Sequence, residues 1–466
     1  MANLILWNAF AGLPERTIGV YQIANWVRLH GYTVKVIDFC SLMPTKKLVE
    51  LTEKHIGPET IAIGVSSTFW NSSSTTAPSN VEPKWLVYAR DAISSKPRHF
   101  EWILGGARSH KMTLQYNWVR FHDYAEDALL KWLDEKSNVN NVRKKYDIVD
   151  HCGFTFQHDD AILPQEVLPI ELSRGCRFEC SFCKFPLLGK TPGNYIRSKE
   201  SFREELIRNY NEFGTTNYNF TCDTYNESPE KVQMVHDVVQ SLPFKINWVG
   251  YLRLDLIASR PEQIQLLKDS GLRSAFFGIE SFHPQASMAV GKGWNGKKGK
   301  DFLLELKDKW KDDITWQLSF IVGLPGESKE HLQETFNWCV DNKMKCWHYH
   351  PLGLSTMYED EVKSKFERES EKYGYTMTGP NTWKNDLWTS DTAMNYAKEL
   401  NSLAWMYQSP AGFQASKFVS MGYSYEHTLH GKYGITDWDS WPDFADRVKA
   451  FVDNYVTTQQ HQKRVE

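Results

Sequence analysis

The sequence predicts an α/β protein: a doubly wound, Rossmann-like N-terminal domain, then a partial (β/α)6 barrel, then a C-terminal helical region. Three observations predict it. Short apolar or β-branched runs alternate with helix-period segments, the pattern of parallel sheets covered on both faces. A polar, proline-bearing stretch divides the alternation into two series. Beyond residue 358 the alternation stops, and tryptophan, tyrosine and methionine become frequent. The implied organisation is a domain over 1–135, a linker over 136–165, a barrel over 166–358 and a helical, substrate-side region over 359–466. A chain of 466 residues has room for two or three cores.

In the first series LILW (4–7) is a short apolar strand. IGVYQIANWVRLHGY (18–32) follows with Val20, Ile23, Ala24 and Val27 at helical spacing and Gly31 as C-cap. TVKVIDF (33–39), IAIGVSSTF (61–69) and FEWILGGARSH (100–110) are further strands, and DYAEDALLKWLDE (123–135) is an amphipathic helix. In the second series PIELS, NYNFTCDTYN, INWVGYLRLDLI, SAFFGIESF, ITWQLSFIVGLPGES and KCWHYHPLGL are six successive strands. Six strands with connecting helices suit an incomplete barrel rather than a full eight. Near the C-terminus WPDFADRVKAFVDNY sets Phe444, Val448, Phe451 and Tyr455 on one helical face, and TTQQHQKRVE reads as a disordered tail.

Composition narrows the function classes. A formal charge of −3, with no basic cluster, disfavours a nucleic-acid footprint. No apolar run reaches membrane-spanning length, and MANLILWNAF lacks the positive start of a signal peptide, so a cytoplasmic protein is expected. The 18 tryptophans point to bulky packing or to an aromatic-lined substrate groove.

The chemistry concentrates at ELSRGCRFECSFCKFP (171–186), where Cys176, Cys180 and Cys183 are spaced by three residues and then two. The other five cysteines are scattered and read as buried small hydrophobes. Three readings of the loop compete. A zinc knot wants a second pair or a closing ligand, and none follows. Three unrelated cysteines are a second reading. The third is an iron–sulfur cluster that takes three thiolates and keeps one iron open.

The pattern Cys176, Cys180, Phe182, Cys183 resembles the radical S-adenosylmethionine (SAM) superfamily signature CxxxCxΦC, with Φ aromatic. The resemblance implies a [4Fe–4S] cluster on the three cysteines, with SAM on the open iron and Phe182 near its adenine. Reduction of the cluster then cleaves SAM to a 5′-deoxyadenosyl radical that abstracts hydrogen.

Barrel enzymes collect their chemistry at strand C-termini, and the same resemblance assigns further cofactor contacts there. Asp223 ends the second strand, where the methionine amino group binds. Arg253 and Asp255 share a face of the third strand by alternation, either clamping the cofactor carboxylate or satisfying each other. Glu280 closes FFGIES near the ribose or methionyl end, and backbone near Ile321 and Gly323 in SFIVGLPGES meets adenine. His348 and His350 alternate on the sixth strand, facing the barrel interior or satisfied in the core. Trp383, Trp388, Trp405 and His427 form no motif.

Residues 1–135 resemble the cobalamin-binding-type domain that precedes many such barrels. Ser66, Ser67, Gly105 and Gly106 stand where that family lines the corrinoid's nucleotide tail. The Asp-x-His-x-x-Gly loop is absent, and NAFAGLPER stands in its place, which leaves both a corrinoid site and a retained scaffold open. With cobalamin the implied reaction is methylation of an unactivated carbon; without it, rearrangement, oxidation or carbon–carbon bond formation. The implied partners are a small-molecule or peptide substrate and a one-electron reductant such as flavodoxin or ferredoxin. The alternatives are a zinc-stabilised binding protein and an RNA-modifying enzyme of the same chemistry, which the acidic charge disfavours.

Overall fold

Parallel strands form two sheets in the computed structural model of the chain. It describes all residues except 11–12, 69, 71–81, 107–108, 110–113, 115, 122–124, 141–142, 148–150, 165, 185–195, 293–295, 357–362, 408–414, 426–440 and 463–466. His427 and most of the polar loop after Trp70 therefore lie outside the described residues. The chain divides into two compact units. One comprises Met1–Glu171, Glu204–Thr215 and Ala445–Glu466, and the other Leu172–Arg203 and Thr216–Phe444.

In the first unit β1 (Leu4–Trp7), β2 (Val34–Ile37), β3 (Ala62–Ser66), β4 (Glu101–Gly105) and β5 (Val119–Arg120) form a sheet in the order β2-β1-β3-β4-β5. Every pairing in it is parallel. β1 and β2 are buried at every residue, as strands covered on both faces must be. The helix Ile18–Leu29 buries Val20, Ala24 and Val27, three of the four apolar positions read from its spacing. The sheet is the anticipated doubly wound type; the two-residue β5 is too short to leave a sequence pattern.

The C-terminal region departs from expectation. Residues 359–444 are not purely helical: β12 (Thr376–Gly379) and β13 (Thr382–Lys384) pair antiparallel. The last helix, Trp441–His461, sends Phe451, Val452, Tyr455 and Val456 into the hydrophobic core of the first unit rather than onto the barrel. The segment read as a disordered tail is helical through His461. Lys54 Nζ donates to carbonyls of Gln459 and Gln462 at that helix's C-terminus, where the dipole favours a cation.

Arg16 anchors this unit. It donates to Tyr21 Oη at 2.7 Å, to Asp38 and Glu166, and to the carbonyls of Asp160 and Ala161 at 3.0 and 3.1 Å. The rings of Phe39 and Tyr455 flank it at 5.2 and 5.6 Å. Every guanidinium N–H has an acceptor, the condition under which a fully buried charge is tolerated.

The second sheet runs β11-β10-β9-β8-β7-β6. Its strands are β6 (Leu168–Ile170), β7 (Asn217–Phe220), β8 (Asn247–Leu252), β9 (Leu272–Glu280), β10 (Thr315–Val322) and β11 (Trp347–Pro351). β7 to β11 pair in parallel, in chain order, as a partial barrel requires. Its two faces differ. Leu252, Phe277, Leu318 and Trp347 lie side by side and are buried. On the opposite face Tyr251 is exposed, and Phe276, Gly278, Gln317, His348 and His350 are half-buried.

Candidate functional site

The cysteine loop follows β6 directly. Cys176, Cys180 and Cys183 are free thiols, each half-buried, on a loop held at several points. The amide of Ser181 donates to Val290 O at 2.9 Å, and its carbonyl accepts from Phe366 N at 2.8 Å. Lys184 pairs with the buried Glu367 at 2.6 Å. Behind the loop Lys231 is fully buried and donates to Ser173 Oγ at 2.9 Å, Thr224 O at 3.1 Å and Glu227 Oε1 at 2.8 Å. Glu227 Oε2 accepts from the Arg177 amide at 3.2 Å. A buried, hydrogen-bonded ion pair thus fixes the backbone between the first cysteines.

The sulfurs of Cys176 and Cys180 meet polar groups. Thr224 Oγ1 lies 3.3 Å from Cys176 Sγ, and Arg253 Nη1 lies 3.5 Å from Cys180 Sγ. Burial raises the Cys176 thiol above its usual range, an effect the Thr224 contact opposes. Among the described residues no three His, Cys, Asp or Glu side chains are grouped as a single metal ion would require. A cubane takes one thiolate at each of three irons, so it does not need that convergence. The loop fits such a cluster in its donor chemistry: three thiols outside any disulfide on one braced loop, with Cys176 and Cys180 in contact with groups able to hydrogen-bond a thiolate.

Arg253 and Asp255 do not share a face of a strand. β8 ends at Leu252, Arg253 is the N-cap of the helix Leu254–Ser259, and Asp255 lies in its first turn. They still pair, at 3.0 and 2.7 Å, because the fork of one matches the carboxylate of the other two residues on. The guanidinium also stacks over Phe178 at 4.0 Å. Arg253 is therefore satisfied by Asp255, one of the two roles considered for it, and it also touches the cysteine loop.

Asp223 lies three residues past the end of β7 and is half-buried. Phe182 lies between two of the cysteines, also half-buried. Glu280 is the last residue of β9, and its φ is +66°. A left-handed non-glycine residue costs about 1–3 kcal/mol unless its surroundings enforce it. Here Lys292 bonds Glu280 Oε1 at 2.8 Å and also reaches Gly278 O. A Cβ on Gly278 would overlap Glu280 Oε1 and come within 2.9 Å of Lys292 Nζ, so this ion pair lies over the accessible face. Ile321 pairs in register with His350. Gly323 has φ +107°, and a Cβ there would come 2.6 Å from Trp383.

Sequence reasoning missed Thr224, Lys231, Glu227 and Lys292. It quoted GLPGE without seeing that Glu327 is fully buried. Ser281 donates to its Oε1, Oε2 has no partner, and burial lifts its carboxyl to about 8. This acid is protonated at neutral pH.

In the first unit Ser66, Ser67, Gly105 and Gly106 are brought together at the ends of β3 and β4. Ser67 Oγ and N both donate to Gly105 O at 2.9 Å, and Ser66 Oγ lies 3.3 Å from Thr68 Oγ1. Gly106 has φ +110°, and a Cβ there would sit 2.7 Å from Ser67 Oγ and 2.9 Å from Thr68 Oγ1. The place admits only glycine. Such a cradle of small residues at strand ends fits a polar ligand tail approaching the backbone closely.

Residues 170–339 match the profile of the Radical SAM superfamily. That stretch takes in the cysteine loop and β7 to β10, and the cofactors of the matched family are a [4Fe–4S] cluster and SAM. An uncharacterized methyltransferase of Pyrococcus horikoshii is 28% identical over 167 residues, 36% of this chain and 35% of that protein. The ribosomal protein uS12 methylthiotransferase RimO of Ectopseudomonas mendocina is 25% identical over 235 residues, 44% of this chain and 52% of that protein. The chain thus spans about a third to a half of the length of these curated relatives. Among solved structures, the radical SAM methyltransferase TsrM of Kitasatospora setae, with cobalamin and a [4Fe–4S] cluster bound, superposes with a TM-score of 0.61 at 14% identity. That match covers 97% of this chain and 100% of TsrM. The cobalamin-dependent SAM radical enzyme OxsB, with aqua-cobalamin bound, gives 0.59 at 12% identity, covering 99% and 80%. These likenesses establish the fold. No described helix is long and apolar enough to cross a membrane.

Proposed function

We propose that the protein is a radical SAM enzyme in which Cys176, Cys180 and Cys183 hold a [4Fe–4S] cluster, and that it methylates a small molecule or peptide with cobalamin as second cofactor. The braced loop of three half-buried thiols is the observation that carries the reading. When bound, the cluster and SAM supply one-electron chemistry that no side chain provides. The chain's own task is to bind and orient. Lys231 and Glu227 hold the loop in place, and Thr224 and Arg253 contact two of its sulfurs. Asp223, Arg253 and Glu280, with Phe182 and the backbone at Ile321 and Gly323, form the SAM-side wall.

The corrinoid part rests on the glycine-only cradle at Gly106 beside Ser66, Ser67 and Gly105. The likeness in fold to TsrM and OxsB, whose structures hold cobalamin, supports it. Domain roles follow: 1–135 for the corrinoid, 136–165 as linker, 166–358 for cluster and SAM, and the barrel-side part of 359–466 toward the substrate. A one-electron reductant such as flavodoxin or ferredoxin and a cytoplasmic location complete the proposal.

Anaerobic reconstitution with iron and sulfide tests it. The wild type is expected to bind about four irons per chain, to give 5′-deoxyadenosine or methyl transfer from SAM on reduction, and to retain hydroxocobalamin through gel filtration. Cys180→Ala removes the iron, and Gly106→Val removes only the cobalamin. Wild-type protein that takes up no iron, or a single zinc, overturns the reading.

A further inference from the structure

The accessible face of the barrel sheet carries a pair of histidines to which the proposed function gives no role. Register places Gly278, Ser319 and His348 side by side across β9, β10 and β11, and Ile321 beside His350 one step nearer the strand ends. The two imidazoles are half-buried, with ring centres 4.5 Å apart. They differ in what holds them.

His348 is fixed by Asn401. Tyr349 N donates to Asn401 Oδ1 at 2.9 Å, and Asn401 Nδ2 donates to Tyr349 O at 2.8 Å. That backbone clamp admits one orientation of the amide, so the remaining Nδ2 hydrogen points to His348 Nε2, 3.3 Å away. Nε2 is thereby an acceptor, the ring is neutral, and its proton sits on Nδ1. Burial acts in the same direction, bringing His348 to about 4 and lowering His350 as well. Among the described residues His350 has no hydrogen-bond partner, and its nitrogens are not sealed in.

Two ion pairs among the described residues lie near this face. Lys292 is paired with Glu280, and Arg253 with Asp255. A charged group arriving beside the imidazoles would have to compete for ions already held in these two pairs, and burying it unpaired is costly. An uncharged N–H or O–H group finds a neutral imidazole acceptor in His350 and, next to it, Ile321 as an apolar wall.

We propose that His350, aligned by the Asn401-fixed His348, is a substrate-binding residue that accepts a hydrogen bond from an uncharged N–H or O–H group of the substrate. The word substrate rests on the enzyme reading above; the binding preference itself does not.

Paired probes test it on anaerobic, full-length holoprotein: phenol against anisole, and benzoate against benzylammonium, titrated by NMR with 15N-labelled histidine. Phenol is expected to bind about tenfold more tightly than anisole, the range of one neutral hydrogen bond, and to shift the His350 ring nitrogens. In His350→Phe that preference falls to unity while iron and SAM binding stay as in wild type. Asn401→Asp puts an acceptor on His348 Nε2 and is expected to give its ring the 15N pattern of an imidazolium near pH 6, which a merely structural asparagine would not do. Equal or undetectable binding of phenol and anisole, a preference that survives His350→Phe, or tighter binding of either charged probe overturns the proposal. If the phenol preference holds while wild-type protein takes up no iron, the enzyme reading alone has failed.

Discussion

Two polar clusters in this molecule are built on opposite terms. Around Arg16 every donor has an acceptor and every member is buried: Asp38, Tyr21, Glu166 and two carbonyls close the set. On the barrel the thiols of Cys176, Cys180 and Cys183 are half-buried, those of Cys176 and Cys180 in long contacts with Thr224 and Arg253, and His350 has no hydrogen-bond partner among the described residues. A closed set cannot bind anything without being broken. An open set costs folding stability, because its groups are partly desolvated without full compensation. The difference separates the polar residues that hold a fold from those kept available for ligands.

The sharpest way to break this contrast is at Arg16. Arg16→Met leaves Asp38 and Glu166 buried without their cation, and a loss of about 3–5 kcal/mol in unfolding free energy is expected. Denaturant titration followed by tryptophan fluorescence measures it. A loss below about 1 kcal/mol would mean that the cluster is not the closed network described.

Glu327 sharpens the contrast from inside the barrel. Its carboxyl is raised by burial to about 8 against 4.5 in the unfolded chain. The sign follows from linkage. The unfolded chain gives up this proton first, so the group's favourable contribution is complete below pH 4.5 and is lost as pH rises toward 8. At pH 7 the penalty is about 3 kcal/mol. Glu327→Gln keeps the shape and the bond to Ser281 without that penalty, so thermal stability is expected to rise at pH 7–8 and to be little changed at pH 4.5. A melting-temperature series over that range checks it; a variant less stable at pH 8 than wild type contradicts a protonated Glu327.

Much of this was legible locally. The runs SAFFGIESF and SFIVGLPGES mark β9 and β10, and the spacing from Cys176 to Cys183 marks the loop after β6. What was not legible depends on contacts across long sequence separations. Thr224 meets Cys176 across 48 residues, Asn401 meets His348 across 53, and Arg16 meets Glu166 across 150. No periodicity records such pairs. Arg253 was misplaced onto a strand because alternation continues through YLRLDL although the backbone turns helical after Leu252. The terminal helix was given to the wrong unit for a related reason: an amphipathic stripe says that a face is buried but not against what.

The smallest expected effect tests the open half of the contrast. If the three cysteines are kept for a ligand, the folded chain without that ligand should scarcely notice their loss. Their side chains are half-buried, and Lys231, Glu227, Ser181 and Glu367 brace the loop through other residues. Serine keeps the size and the hydrogen bonds that Thr224 and Arg253 offer. The triple variant Cys176→Ser, Cys180→Ser, Cys183→Ser, compared with wild type in the metal-free state, is expected to change unfolding free energy by less than about 1 kcal/mol, while iron uptake falls to background. Iron-loaded wild type should then exceed the metal-free protein in stability by an amount the variant cannot reproduce, because a ligand bound only by the folded state stabilises it through mass action. A variant that loses several kcal/mol without metal would place these sulfurs among the groups that hold the fold, and the division between closed and open clusters would no longer describe this protein.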